Sequence, residues 1–327
     1  MIHALIAEAY KVLDGAALTR EEALALADEI RGEDILDLVS LANKVRRKFA
    51  PEIRPCSIVN AKSGRCEQNC RFCAQSGHHR TGIETYELMT PETLLEGARA
   101  AVANGVRSYG IVTSGYGYLE PDDPEFRRIL AALDVLHEAL PELSLCVSIG
   151  ILSRPCAKAL SEHHTDRYNM NLQTNPARYA ELIADTHTIE DKIATIRYLQ
   201  EFGVKICTGG ILGLGESWRD RVEMAFAIRE LDVDGIPLNV LLPIPGTPLE
   251  NRPVMSPAEV AKAFALFRLV NPAKMLKFAA GRETVMTDFQ GLLMLAGLNS
   301  MITGGYLTTR GRSVAEDREF IARLREF

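Results

Sequence analysis

Three cysteines within one short segment are the residues best suited to chemistry. Cys66, Cys70 and Cys73 have C-x3-C-x2-C spacing, which lets three thiols face one centre. A structural zinc site usually has four protein ligands, so three thiols fit better with a cubane iron–sulfur cluster that keeps one iron free for a small ligand. Lys62 and Arg65 add positive charge that favours thiolates. The alternative of three ordinary buried cysteines is weaker, because cysteine is seldom so dense in an intracellular chain.

A second group of cysteines falls in segments that have the composition of buried strands. Cys56, Cys146 and Cys207 lie in the first, third and fifth predicted strands, and Arg282 follows the seventh. Alternate strands of a closed barrel contribute to the same interior layer, so we expect these four residues to form one ring. Three thiolates and a cation are costly to bury unless something binds them, which favours a second iron–sulfur cluster. The alternative is small, well-packed cysteines beside an ion-paired arginine, and Cys156 is predicted to be structural.

Eight short apolar runs alternate with amphipathic segments after residue 50. The predicted strands are Cys56–Asn60, Ser108–Thr113, Leu143–Ile149, Arg167–Leu172, Val204–Gly209, Gly235–Leu241, Lys274–Ala280 and Asn299–Thr303. The predicted helices between them include Pro91–Ala103, Glu125–Leu140, Ile189–Phe202 and Ser217–Leu231. This alternation favours an α/β protein with a (β/α)8 TIM-type barrel over a doubly wound open sheet. The three-cysteine loop then lies at the carboxyl end of the first strand, where active sites of such barrels form.

Residues 1–50 are predicted to be a helical N-terminal extension, a lid or a bottom layer, and residues 51–327 the barrel. The last β/α units of the barrel cover about residues 256–310. In the extension, Thr19 is a predicted helix N-cap, and a further amphipathic helix runs from Ile35 to Phe49 and is ended by Pro51.

Composition excludes several classes of protein. The 327 residues carry a net charge of −6 and no basic stripe, so a nucleic-acid partner is not expected. No run approaches the ~20 apolar residues of a membrane span, and the first residues lack the layout of a signal peptide. We therefore expect a cytoplasmic protein without a membrane partner. Seven cysteines in a reducing compartment indicate metal binding or catalysis instead of disulfides.

Polar side chains interrupt strands that should otherwise be apolar. Asn169, Asn171 and Gln173 alternate along one face of the fourth strand, and Asn239 is a lone amide in the sixth. Amides inside a barrel need partners, which a urea-like group, a ribose or an amino acid would supply. Contacts to neighbouring loops are the alternative. The glycine-rich segment 208–216 lets the backbone approach a ligand closely.

Taken together, these segments resemble the biotin synthase family of radical S-adenosylmethionine (SAM) enzymes. The matching residues are Asn60-x-Lys62-Ser63-Gly64-x-Cys66 through Cys73, Arg80-Thr81-Gly82, Tyr168-Asn169-x-Asn171-Leu172, Gly209-Gly210-Ile211-x-Gly213-x-Gly215-Glu216, Gly246-Thr247-Pro248-Leu249, Ala280-Gly281-Arg282-Glu283 and Asn299-Ser300. The similarity runs from about residue 50 to residue 310.

The resemblance implies a radical SAM sulfurtransferase that converts dethiobiotin to biotin. A [4Fe–4S] cluster on Cys66, Cys70 and Cys73 would bind and cleave SAM, and an auxiliary cluster, [2Fe–2S] in the usual pattern, would supply sulfur. The further residues implied for SAM are Phe72, Asn171, Gln173 and Ile211, and for dethiobiotin Asn169, Asn171 and Asn239. Gln173 replaces the family's usual aspartate and would bond a hydroxyl more weakly. Flavodoxin or ferredoxin is implied as electron donor, and a homodimer is compatible.

One departure concerns the auxiliary cluster. The family usually has a ligating cysteine in the second strand, where this chain has Tyr109. Tyrosine can ligate iron, but Cys56 offers a thiol on an odd strand. We therefore expect Cys56, Cys146, Cys207 and Arg282 as the ligand set, with Arg282 among the catalytic residues. A moved ligand changes the cavity, so the iron and sulfide content is left open.

Other functions are compatible with parts of this pattern. Another radical SAM barrel, of the hydrogenase-maturation or amino-acid mutase type, would not need the strand cysteines. A tRNA-thiolating enzyme would be expected to have a basic surface. A zinc scaffold would need a fourth ligand, for which His78 or His79 is available, and it would leave the strand cysteines unexplained.

Overall fold

Eight parallel strands, labelled β1 to β8 here, surround the centre of the computed structural model, which describes residues 2–304, 307 and 312–324. They are β1 Ser57–Lys62, β2 Ser108–Thr113, β3 Ser144–Ser148, β4 Arg167–Asn169, β5 Lys205–Cys207, β6 Gly235–Val240, β7 Met275–Phe278 and β8 Ser300–Met301. Each strand pairs in parallel with the next one along the chain. All eight predicted strands are therefore present.

Backbone hydrogen bonds around Cys56 close this sheet into a barrel. The amide of Cys56 donates to the carbonyl oxygen of Met301 at 3.0 Å, and the amide of Thr303 donates to the carbonyl oxygen of Cys56 at 2.9 Å. These bonds join the residue before β1 to the end of β8, and Cys56 and Ile302 form a parallel bridge. The predicted TIM-type barrel is confirmed.

The fourth and fifth strands are shorter than predicted because side chains and close backbone contacts replace the regular ladder. The side-chain oxygen of Asn171 accepts from the amide of Gly209 at 3.1 Å, and Gln173 has a φ of 72°. At Gly209 a Cβ would lie 1.9 Å from the carbonyl oxygen of Pro237, so only glycine fits there. The chain then re-enters the sheet as the short strand Gly210–Leu212, which pairs with β6.

Helices cover the outside of the barrel. Those between strands are Pro91–Ala103, Pro124–Ala139, Arg154–Glu162, Tyr179–Leu182, Ile189–Glu201, Trp218–Glu230, Pro257–Val270 and Gln290–Leu295, and Val314–Leu324 follows β8. Short 3-10 turns occupy Tyr10–Asp14, Pro176–Arg178 and Thr287–Phe289, and a π turn occupies Arg282–Met286. Side-chain oxygens of Thr90, Asp123, Thr188 and Ser217 cap the four predicted helices, which explains why the predicted starts agree closely. A small parallel sheet of Gly117–Tyr118 and Ile151–Leu152 was not predicted.

The N-terminal helices Arg20–Glu29 and Asp34–Phe49 pack on outer helices of the barrel, and helix Ala4–Ala9 packs on these two. Thr19 is the N-cap, as predicted, and it forms a capping box with Glu22. Arg20 pairs with Glu223 at 3.1 Å and Glu230 at 2.7 Å on helix Trp218–Glu230. Helix Arg20–Glu29 therefore packs against an outer helix of the barrel. The division into an extension and a barrel domain stays a prediction. Among the described residues, no helix is long and apolar enough to span a membrane.

Arg268 connects several segments of the chain near β7 and β8 through hydrogen bonds. Its side chain is fully buried, and the guanidinium donates to the carbonyl oxygens of Gly297 at 2.6 Å and Lys274 at 2.7 Å. It also donates to the side-chain oxygen of Asn299 at 2.9 Å, whose amide nitrogen donates to the carbonyl of Glu52 at 3.2 Å. Burial lowers the pKa of Arg268 to about 9. The network therefore connects the segment before β1 with the last two strands.

Replacing Arg268 by leucine should destabilise the protein strongly. Each buried acceptor left without a donor costs roughly 1–3 kcal/mol, and three or more acceptors lose theirs, so we expect at least about 3 kcal/mol. Urea or thermal unfolding followed by circular dichroism would measure the loss. Arg99→Leu, at an exposed position on helix Pro91–Ala103, is the matched control and should stay within about 0.5 kcal/mol of wild type. Equal stability of the two variants would contradict this role.

Candidate active site

One cavity of about 280 Å³ joins the two groups of cysteines. Cys66, Cys70 and Cys73 line it from the loop after β1. Cys56, Cys146 and Cys207 line it from the barrel interior. All seven cysteines of the chain are free thiols. The structure therefore brings both predicted cysteine groups to a single site.

The loop of residues 64–77, called the cluster loop here, is shaped by its own backbone. The amide of Cys66 donates to the carbonyl of Gln75 at 3.0 Å, and the amide of Gly77 donates to the carbonyl of Cys66 at 2.7 Å. Gly64 has a φ of 76°, and a Cβ there would lie 2.4 Å from Thr85 Cγ2. These contacts fold the loop back on itself, and its three cysteines line one cavity.

Two neighbouring segments hold the cluster loop from outside. The Nε2–H of His79 donates to the carbonyl of Cys70 at 3.0 Å. On the other side, the amide nitrogen of the Asn69 side chain donates to Asp185 at 2.6 Å, and the backbone amide of Asn69 donates to the Thr186 hydroxyl at 3.2 Å. His79 thus supports the loop through a hydrogen bond to its backbone.

Electrostatics in the cluster loop fit thiols that bind iron. Burial raises the pKa of the Cys70 thiol to about 11, and burial together with the charge of Cys70 raises that of Cys73 to about 12. Such thiols ionise at neutral pH only when a cation binds between them, as iron does in a cluster. The buried Lys192 lies close by and donates to the carbonyl of Asn171 at 3.1 Å. Burial lowers its pKa to about 8, against the attraction of Cys70 and Cys73.

The interior cysteines surround a buried lysine. Lys277, on β7, is 8% exposed and lines the cavity with Cys56, Cys146 and Cys207. Burial disfavours its charge, but attraction to the three thiols more than offsets this and raises its pKa. Burial also raises the pKa of Cys146 to about 11. Arg167 supplies a second cation, with Nη1 3.8 Å from the sulfur of Cys207. Three thiols and two cations that line one cavity suit an anionic iron–sulfur group.

The structure does not bring Arg282 to these thiols. Arg282 follows Gly281, whose φ is 96°, and begins the π turn beyond β7. Its Nη2 lies 2.7 Å from both the Glu283 and the Asp317 carboxylates, and Asp317 is fully buried on the last helix. Lys277, five positions earlier, lies beside the cysteines instead, because it is on the inward face of the strand.

Tyr109 points away from the cavity, whereas Cys56 points into it. A Cβ on Gly97, in the helix outside β2, would lie 2.5 Å from the Tyr109 hydroxyl, so this side chain packs on the outer layer. Burial raises its pKa to about 12. Ser108, its neighbour on the opposite strand face, lies 3.1 Å from the sulfur of Cys146. The thiol of Cys56, and not the Tyr109 hydroxyl, completes the interior group.

The predicted polar residues also line the cavity, but most already have partners. Asn171 accepts from Gly209, and Asn239 accepts from the Ala280 amide at 2.9 Å and donates to the Gly210 carbonyl at 3.2 Å. Asn169 lies 3.4 Å from the Ser148 hydroxyl. By contrast, the side-chain oxygen of Gln173 is buried without a partner among the described residues. The ligand-binding roles of these amides stay predictions.

A second cavity of about 140 Å³ adjoins the first and is largely apolar. Phe72 and Ile211, both predicted to contact a cofactor, line it with Leu241 and Ile244. Phe72, Cys73 and Gln173 line both cavities. A ligand at the cluster loop could therefore extend an apolar ring into this second space.

The sequence reasoning missed Lys277 and Lys192. Lys277 is the lone charge in the apolar strand Met275–Phe278, a signal that could have identified it. Lys192 lies on helix Ile189–Glu201 on the same side as the buried Ile189 and Ile196, which also sets it apart from a solvated lysine. Cys156 is buried at the start of a helix, in agreement with a structural role.

Comparisons with known proteins agree with this site. A model of the radical SAM superfamily matches residues 61–228, and one of the Biotin and Thiamin Synthesis associated domain matches residues 237–325. Biotin synthase of Pelodictyon phaeoclathratiforme is 53% identical, covering 100% of this chain and 98% of the relative. Biotin synthase of Chlorobium luteolum is 55% identical with the same coverage.

Solved structures resemble this one in fold. Methylornithine synthase superposes with a TM-score of 0.82 at 19% identity, covering 97% of this chain and 94% of its own. The FeFe-hydrogenase maturase of Carboxydothermus hydrogenoformans gives 0.81 at 18% identity, covering 98% of this chain and 77% of its own. The barrel and the three-cysteine loop thus define a radical SAM enzyme. Within that superfamily, the chain belongs to the biotin synthase family.

The contrasting positions of Lys277 and Arg282 give a prediction. Lys277→Met should change the iron and sulfide bound by the interior cysteines, because it removes the cation beside three thiolates. Arg282→Leu should leave that content unchanged but lower stability by about 3–5 kcal/mol, because the buried Asp317 loses its partner. Metal analysis and unfolding of both reconstituted variants would measure this. The opposite pattern, with metal loss only in Arg282→Leu, would show that Arg282 serves the interior group.

Proposed function

We propose that this chain converts dethiobiotin to biotin, using SAM at the cluster loop and sulfur from an iron–sulfur group on the interior cysteines. The observation that carries the proposal is the single cavity lined by both cysteine groups. An enzyme that only cleaves SAM needs the first group. A second set of three thiols facing the same space is what sulfur insertion requires, because the sulfur donor must lie beside the substrate.

Cys66, Cys70 and Cys73 would hold the [4Fe–4S] cluster, which together with SAM supplies radical chemistry when bound. Lys192 would place a positive charge beside the anionic thiolates and the carboxylate of SAM. The unpartnered oxygen of Gln173 would accept from a ribose hydroxyl. Phe72 and Ile211 would contact the adenine in the apolar cavity. The enclosed walls would keep water from the reacting atoms.

Cys56, Cys146, Cys207 and Lys277 would hold the auxiliary cluster. Lys277 carries three donors but no acceptor, so while charged it would neutralise and hydrogen-bond sulfur, and it would ligate iron only after losing its proton. This set contains Lys277 in place of the expected Arg282. One of its ligands, Cys56, lies where the barrel closes. The composition of the cluster is therefore not assumed to be [2Fe–2S].

Asn169, Asn171 and Asn239 would line the dethiobiotin site. Asn169 is the least constrained of the three, because among the described residues its side-chain amide makes a single contact, 3.4 Å from the Ser148 hydroxyl. It is the one that we expect to bond the ureido group directly. Asn171 and Asn239 would contribute mainly by holding the β4, β5 and β6 backbone in place.

The partners and location follow from the same chemistry. Reductive SAM cleavage needs an electron donor, for which flavodoxin or ferredoxin is proposed. Seven free thiols support a reducing compartment, the cytoplasm. The homodimer stays a proposal that sedimentation would test.

An anaerobic assay with SAM, reductant and dethiobiotin tests the function directly. We expect biotin and 5′-deoxyadenosine together, and loss of both in Cys70→Ala, because that variant lacks one thiol of the cluster loop. Chromatography with mass detection measures both products. Deoxyadenosine without biotin, from wild-type protein holding both iron groups, would reject sulfur insertion and favour a related radical SAM reaction.

Mössbauer spectra with iron and sulfide analysis test the auxiliary ligands. Cys56→Ala should alter or remove the auxiliary signal and keep that of the cluster loop, because Cys56 lines the interior group. Tyr109→Phe is the matched control and should keep both signals, since Tyr109 packs outside the barrel. An unchanged auxiliary signal in Cys56→Ala would refute the assignment of Cys56.

A further inference from the structure

Three buried side chains are hydrogen-bonded in series, and the last of them lies in the cluster loop. Gln68 lies between Cys66 and Cys70 and is 9% exposed. Its side-chain oxygen lies 3.0 Å from His187 Nδ1, and His187 Nε2 lies 2.7 Å from the Tyr179 hydroxyl. The three residues come from the cluster loop and from the segment between β4 and helix Ile189–Glu201. None of them has a role in the proposed function above.

Each hydrogen bond in this series can be given a donor and an acceptor. The Gln68 oxygen can only accept, so His187 must carry its proton on Nδ1. Nε2 is then an acceptor, and the Tyr179 hydroxyl donates to it. Burial and the nearby charge of Lys192 lower the pKa of His187 to about 4, so the ring stays neutral with a single proton. In this arrangement the Gln68 oxygen lies toward His187, and its amide nitrogen lies away from the ring.

This orientation leaves the amide nitrogen of Gln68 facing the cavity. Gln68 lines that cavity with Cys66, Cys70 and Cys73. Its backbone is also held, because the Ser76 hydroxyl donates to its carbonyl at 2.6 Å. No residue in the described part of the chain accepts from its side-chain nitrogen. A side chain about nine-tenths buried thus presents two unused N–H donors beside three thiols.

We propose that Gln68 donates a hydrogen bond to an anionic acceptor bound next to Cys66, Cys70 and Cys73, and that His187 positions it for this. The acceptor is a cluster sulfide or the carboxylate of SAM. The inference rests on the proposed function, because the cluster and SAM are the cofactors of that reaction. His187 is a positioning residue, because it acts on the acceptor only through Gln68. Tyr179 fixes the ring of His187 in turn.

For the two acceptors, we expect different effects of Gln68→Met on the reconstituted protein. A sulfide acceptor means that Gln68→Met lowers the midpoint potential of the cluster without SAM, since a donor to sulfide stabilises the reduced, more negative state. A carboxylate acceptor leaves that potential unchanged and weakens SAM binding about tenfold, as expected for a loss of about 1.4 kcal/mol. Redox titration followed by electron paramagnetic resonance, and SAM binding by equilibrium dialysis, measure the two effects.

Variants of His187 separate positioning from folding. His187→Phe should shift the same quantity as Gln68→Met, because Gln68 then loses its oriented partner. His187→Gln should restore it in large part, since a glutamine amide can donate to the Gln68 oxygen. His163→Phe, far from the loop at the end of helix Arg154–Glu162, is the matched control and should match wild type. If Gln68→Met does not bind iron, His187→Phe and His187→Gln still test the proposal, because both variants leave the sequence of the cluster loop unchanged.

The proposal is overturned when iron-loaded Gln68→Met and His187→Phe keep both the potential and the SAM affinity within twofold of wild type. It is also overturned when His187→Gln behaves like His187→Phe, because a general packing defect would then explain both. Neither measurement depends on biotin formation. Wild-type protein that binds SAM but makes no biotin would reject the proposed reaction and leave this inference standing.

Discussion

The closure of the barrel at Cys56 is the contact on which the site depends. Two backbone segments meet there, and the hydrogen bonds of Cys56 to Met301 and Thr303 join the first strand to the last. Without that closure, Cys56 would lie at an open sheet edge. Closure therefore both completes the fold and places the third interior thiol. Arg268 and Asn299 support it from one side, because they bond the chain before β1 to the last strands.

Burial of thiols is the dominant cost inside the cavity. Desolvation raises the pKa of Cys70, Cys73 and Cys146 well above that of a free thiol. Two buried lysines oppose this effect, Lys192 beside the cluster loop and Lys277 beside the interior cysteines. Each thiol group is thus paired with one buried cation, which fits anionic groups that contain iron. The same desolvation strengthens every polar contact made there.

Polar side chains in the barrel interior hydrogen-bond to the backbone. Asn171 and Asn239 replace ladder hydrogen bonds where β5 is interrupted between Cys207 and Gly210. The interruption exists because Gly209 packs against Pro237 too closely for any side chain. It opens space for the second cavity, beside Ile211 and Phe72. A local irregularity of the sheet therefore creates part of the site.

Local patterns in the sequence determined the eight strands, the outer helices and the position of the cluster loop. Hydrophobic periodicity and capping residues are short-range signals, and the C-x3-C-x2-C spacing lies within one loop. Which distant residues meet was decided only by the tertiary structure. Lys277 and Arg282 are five positions apart in one segment, yet strand alternation turns Lys277 inward, and the left-handed turn at Gly281 sends Arg282 to Asp317. Likewise, Tyr109 faces outward because β2 presents Ser108 to the interior. Side-chain direction depends on strand register and packing, which no local pattern contains.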